Sequence, residues 1–314
     1  MSHSDGASLT ALLAITRAVH IGAALALFGA LVFAIIIAYD ADERNRRRID
    51  RFALGCVIVA VVALAAWIAL QAAKIAADFG ETMSVELLSR VATHTLFGRL
   101  SIVRLVIAAM LFIAIVASRT RSVRVAATVL AGVFVASLSL AGHAAGGPSA
   151  DADPRVIGDA VHLLAAGAWI GALPWLVLDI AVRARESERL QTTAPMIRRF
   201  SRVGLVSIAA LLVTGTINAL NLVGSLAALL GTDYGRLLMV KLALFAAMLA
   251  LAAINRFHWT SGVVEGDARS ARMLARSAFA ELLLGVAVVV IAAVLGMTVP
   301  AVHADHTMHH GAPG

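Results

Sequence analysis

The stretches RAVHIGAALALFGA, Arg17–Ala30, and DAVHLLAAGAWIGA, Asp159–Ala172, decide the fold. Each puts a histidine, His20 or His162, inside an apolar run long enough to cross a bilayer as a helix. The identities continue past the shared Ala-Val-His: Ala23-Ala24 matches Ala165-Ala166, Ala26 matches Ala168, and Gly29-Ala30 matches Gly171-Ala172. An ionisable side chain in hydrocarbon is expensive, so it is read first as functional. Two at matched places suggest two related halves and one site on the axis between them.

The rest of the chain has the same character. Hydrophobic residues make up 61%, charged residues 14%, and mean hydropathy is +0.90; an ordinary soluble domain carries about 25% charged residues. Eight apolar stretches fall at roughly 11–39, 52–76, 100–118, 125–145, 157–181, 203–223, 237–255 and 278–299. In lipid every backbone polar group needs an internal partner, which leaves helices or closed barrels, and these runs are too long for barrel strands. The expected fold is an all-α integral membrane protein of eight transmembrane helices, one membrane domain over 1–314.

Further matches extend the duplication. FGRLSIVRL from Phe97 matches YGRLLMVKL from Tyr234; Arg51-Phe52 matches Arg199-Phe200; LAGHA from Leu140 matches VLGMT from Val294, pairing His143 with Met297. Each matched helix lies four further on. Four is even, so halves 11–145 and 157–299 should be parallel repeats about an axis along the membrane normal.

The net charge of +7 is not a nucleic-acid signal. Loops taken alternately hold eighteen arginines in one set (40–51, 118–124, 183–202, 256–276) and only Arg90, Arg99, Arg155 and Arg236 in the other. The positive-inside rule then places both termini outside, in the periplasm if the membrane is a bacterial inner one. No basic region precedes the first apolar run, so no cleavable signal peptide is expected. The single cysteine, Cys56, lies inside the second span and reads as packing.

His20, His143, His162 and Met297 all belong to the outer side by this orientation. Imidazole is the commonest metal-binding side chain, and imidazole with thioether suits copper better than magnesium or calcium. The competing reading is a set of buried, hydrogen-bonded core histidines. Arg17 and Asp159 sit three residues before the repeat histidines, on the same helix faces. They are expected to pair if the halves face each other, with Asp159 also available to fix the His162 tautomer from behind. Trp169 shares the His162 face and is a candidate wall or core residue. Arg104 and Lys241, a turn inside the third and seventh helices, read as snorkelling cations. The sixth helix carries a polar stripe, Ser207, Thr214, Asn218 and Asn221, read as interhelical hydrogen bonding or a hydrated path. Gly167 and Gly171 read as close helix packing.

Residues 300–314 carry His303, His306, Met308, His309 and His310, a short tract of metal-binding type. No Gly-rich phosphate loop, zinc-protease motif or nucleophile–base pair is present, so an enzyme is not expected.

The stretch Arg199–Arg256, with SLAGHA (Ser139–Ala144) and HLLAAGAWIGALPWL (His162–Leu176), resembles the copper resistance protein D family of bacterial inner-membrane proteins. The resemblance is most specific from Asp159 to Arg256, and 199–256 is its core. It implies copper handling across the inner membrane, often beside a small periplasmic copper-binding protein, and it supports copper at His20, His143 and His162. Transport is expected to be uptake, because every candidate ligand is on the outer side. The rival reading is an electron-transfer protein with haem held axially by His20 and His162. A third is a copper sensor or chaperone-docking protein without transport.

Overall fold

The computed structural model describes residues 3–40, 42–79, 84–118, 120–140, 154–183 and 193–302, with side chains from Ser8 onward except those of Asp78, Phe79 and Arg183. Among them the secondary structure is helical throughout. Eight helices are long and apolar enough to cross a membrane: Ser8–Ile37, Glu43–Ala77, Leu96–Val116, Arg121–Ser139, Pro154–Val182, Ala194–Val223, Asp233–Val264 and Ala268–Leu295. They are called spans one to eight below. All eight expected runs are present, several with longer ends. The second, sixth and eighth begin in arginine-rich sequence that apolar runs alone exclude, because helix propensity continues where hydropathy stops.

Spans one and five are the inner pair. Their apolar windows are 61% and 56% buried, against 6% for the seventh, which lies at the rim. They meet at glycine: a Cβ on Gly29 would strike the backbone of Gly171 and Ala172, and one on Gly171 would strike the Leu25 carbonyl. Lipid tails are as apolar as side chains, so association depends on such close packing. Gly171 also ends the first segment of span five. The second starts at Leu173, and Pro174 has no N–H to return to the preceding turn, so the helix breaks there.

Two cores flank this crossing. One gathers Ala24, Leu27, Leu31, Val57, Leu111 and Phe134 from the first four spans. The other gathers Trp169, Leu173, Ile180, Leu211, Met248 and Leu274 from the last four, with Phe33 and Ile37 from the end of span one. Large exposed residues such as Val62, Ile113, Val206 and Leu220 face outward from the bundle, as lipid-facing positions should.

Spans three and seven start in the same local way. A short helix, Val85–His94 or Leu226–Gly231, is capped by Ser84 or Ser225 and ends at Thr95 or Thr232. The threonine hydroxyl accepts from the N–H of Gly98 or Gly235, satisfying an orphan donor of the new span. The glycines are needed because a Cβ at either would strike carbonyls of the short helix. These short helices were not expected from the sequence; their Ser and Thr caps were the available signal.

Two arginines tie span one to the second half. Arg199 of span six donates to the Ile37 carbonyl at 2.9 Å, bridges Asp40 at 3.1 Å, and stacks on Tyr39. Arg17 donates to the Gly296 carbonyl at 2.6 Å, where span eight ends. Each guanidinium satisfies a carbonyl that a helix end leaves without an intrahelical donor.

Candidate functional site

His20 is completely buried, between spans one, two and four. Its Nδ1 lies 2.9 Å from the Ala60 carbonyl, and its ring packs edge-on to Phe134 and tilted against Trp67. A carbonyl can only accept, so Nδ1 carries the proton and Nε2 holds the lone pair. That Nε2 is buried and has no hydrogen-bond partner.

His162 is partly buried between spans five and six. Its Nδ1 lies 2.9 Å from Thr214 Oγ1, and that hydroxyl donates its own hydrogen to the Ala210 carbonyl at 2.6 Å. With its hydrogen committed, the Thr214 oxygen must accept, so His162 also carries its proton on Nδ1. Both rings therefore present Nε2 as a lone-pair donor atom. Anchoring the far nitrogen in this way orients metal-binding histidines generally.

The neighbours of the two rings correspond. His20 lies within electrostatic reach of Arg104, and His162 within reach of Lys241. Trp67 stands against His20, while Gly215, the same distance beyond its Arg-Phe pair, lies against His162: a Cβ there would stand 3.6 Å from His162 Cε1.

Other expected residues fall elsewhere. Asp159 accepts from Asn218 Nδ2 at 2.6 Å, so Thr214, not Asp159, backs the His162 ring. Arg17 does not go to Asp159; it reaches Gly296 and lies 5.7 Å from the Trp67 ring centre. Trp169 is a core residue, packed on Phe245 and over Gly204. Arg104 does not snorkel: it is fully buried and donates to Ser137 Oγ and to the Ser137 carbonyl, which closes the end of span four. The polar stripe of span six is interhelical hydrogen bonding through Thr214 and Asn218. His143, His303, His306, Met308, His309 and His310 lie outside the described residues. Among the described residues no three His, Cys, Asp or Glu side chains stand close enough to hold a metal together.

Comparison with known proteins places this arrangement. The description "Copper resistance protein D" matches residues 194–295, and "Copper resistance protein D-like, N-terminal domain" matches residues 8–152. The chain belongs to the copper resistance protein D family. Copper resistance protein D of Pseudomonas syringae pv. tomato is 33% identical over 186 residues, 56% of this chain and 59% of that protein. Copper transport protein CutJ of Bacillus subtilis (strain 168) is 30% identical over 151 residues, 47% of this chain and 26% of that protein. The chain thus spans little more than half of the first relative and about a quarter of the second. Inner membrane protein YebZ of Escherichia coli (strain K12) is 25% identical over 291 residues, 90% of this chain and 97% of that protein. No solved structure matches the chain. Within this copper resistance protein D member, His20 falls in the region matched by the N-terminal description, whereas His162 lies between the two matched regions.

Proposed function

We propose that this protein moves copper across a bacterial inner membrane, inward from the periplasm, with His20 and His162 as its paired ligands on the outer side. The reading is one of transport, not catalysis. The observation that carries it is the shared anchoring: two membrane-embedded imidazoles, each held at Nδ1, which leaves Nε2 of each for a ligand. A core histidine has no need of that. It is most stable with both nitrogens bonded, because a buried polar atom without a partner costs about 1–3 kcal/mol.

The two four-helix units are parallel repeats in this reading. The matched pairs His20/His162, Arg104/Lys241 and Trp67/Gly215 support it, as do the Thr-capped glycines Gly98 and Gly235. Met297 and His143, matched by the repeat in sequence, complete the ligand set in this reading. Asp159 and Arg17 tune the charge around the site through Asn218 and Gly296. The outer tail, His303 to His310, gathers copper for it, directly or from a small periplasmic copper-binding protein.

The orientation follows from the arginines, which put the histidine end outside. Copper is favoured over haem as the group bound by His20 and His162 because the matching family and its relatives carry copper names.

The test is copper accumulation in cells lacking their own member of the family. Cells expressing the wild-type chain should accumulate copper when external copper is scarce, and cells expressing the His20→Ala/His162→Ala pair should not. Equal accumulation, with both proteins present in the membrane in equal amount, would end the proposal.

A further inference from the structure

Glu281 is the single carboxylate of span eight, thirteen residues in from Ala268. Arg269, Arg272 and Arg276 precede it on the same helix, so Glu281 lies five residues, about 8 Å, beyond the last of them, inside the apolar part of the span. Its side chain is only 2% exposed. Asn255 donates from Nδ2 to Glu281 Oε2 at 3.1 Å, and the Trp169 indole stands beside the carboxyl. Oε1 has no hydrogen bond of good geometry. Two buried polar oxygens close to Glu281 are likewise unpartnered, Asn255 Oδ1 and Ser277 Oγ, the latter one turn before Glu281 on the same face. None of these belongs to the histidine site, which lies toward the opposite ends of the spans.

Among the described residues no cation bonds the carboxyl. From span five the carboxyl meets Trp169; from span seven it meets Asn255; both are neutral. Arg256 lines the same cavity, but its guanidinium is engaged by Ser201 Oγ and lies by the Phe257 ring. Asp179 on the second segment of span five is directed to Asn45. Span one brings its only charge near span eight at the other end, where Arg17 meets Gly296. A carboxylate buried without a cation costs far more than a neutral carboxyl with one hydrogen bond.

A route leads away from it. Glu281 and Asn255 line a cavity of about 210 Å³ that also touches Phe200, Ser201, Arg256 and Thr260, so it runs toward the arginine-rich end of the bundle. Asn255 opens a π turn, Asn255–Trp259, an irregularity that is frequent at functional sites.

We propose that Glu281 is a proton-exchange site: its carboxyl carries a proton in the resting protein and passes it to water in the cavity at the arginine-rich end. The Oε1–H bond breaks, the proton leaves as hydronium, and the carboxylate left behind is held by Asn255 and Trp169 until it is reprotonated along the same path. The oxygen donors here are hard, so the site suits a proton and not a soft metal ion. Intramembrane carboxyls in transporters commonly serve as proton relays, and this assignment stands whether or not copper is the cargo.

The experiment is infrared spectroscopy of the full chain in lipid vesicles. Exposed carboxyls are ionised at neutral pH, so a protonated-carboxyl C=O band reports buried groups only. Wild type should show such a band, it should shift promptly in deuterated buffer, and it should be missing in Glu281→Gln, which keeps the bond from Asn255. An unchanged band in Glu281→Gln would overturn the assignment, as would a band that does not shift in deuterated buffer. If that variant fails to fold, wild type still decides. Phe200→Trp, which fills the cavity, should slow the deuterium shift several-fold, and an unaltered rate would overturn the proton path.

Discussion

Gly171→Ala tests the crossing of spans one and five, on which the placement of both histidines depends. A Cβ at Gly171 would stand 2.6 Å from the Gly167 carbonyl oxygen and 2.9 Å from the Leu25 carbonyl carbon, with the Leu25 oxygen nearer still. Ordinary contacts begin near 3.5 Å, and all three atoms are backbone, so no side chain can swing away. The spans must part by roughly 1 Å, which forfeits a quarter to a half of each dispersion contact along the seam. Overpacking of this kind costs about 1–3 kcal/mol. Gly22→Ala, in span one, is the control. Nothing lies within 4 Å of its added Cβ, so it should gain helix propensity worth about 1 kcal/mol. The two variants should differ by about 2–4 kcal/mol in unfolding free energy. The assay is loss of helical circular dichroism as mild detergent is titrated with a denaturing one. Equal midpoints for the two variants would refute the close crossing.

Other consequences are as direct. Thr214→Val keeps side-chain shape but removes the acceptor at His162 Nδ1, and should weaken copper binding by about 10–100-fold in a chelator competition; unchanged affinity would detach Thr214 from the site. Impermeant thiol labelling should reach cysteines placed at Ser84 and Ser225 from outside, but not at Asn45 or Arg272, with the buried Cys56 silent; the reverse pattern would turn the protein over. Deleting residues 303–314 should reduce copper uptake at low external copper and spare it at high copper, and loss at all concentrations would make the tail part of the central site.

Much of this was legible in the sequence because membranes restrict the options. Eight apolar runs suffice for eight helices, the arginine asymmetry supplies the proposed orientation, and matched histidines single themselves out in apolar surroundings. Tertiary partners were less legible. The proximity of Arg17 and Asp159 to the histidines suggested a pair, but Arg17 reaches the end of span eight because that carbonyl lacks an intrahelical donor. Arg104 was read as snorkelling from its depth alone; Ser137 at the end of span four gives its charge a local partner that hydropathy does not show. Thr214 lay in a recognised polar stripe, yet only the bond to the Ala210 carbonyl reveals which nitrogen of His162 bears the proton. Glu281 was not legible as a site: a lone carboxylate three residues inside an apolar run reads as interfacial, and only the packing shows it buried and bonded to Asn255.

Copper bound to the purified protein tests the central claim most directly. Wild type loaded with copper, freed of excess metal, and measured by metal analysis and X-ray absorption should retain copper with imidazole nitrogens about 2 Å away, the distance found for zinc–imidazole bonds. The His20→Ala/His162→Ala pair should lose that copper and its imidazole scattering. Retention by the double variant of as much copper as wild type, in the same coordination, would contradict the account.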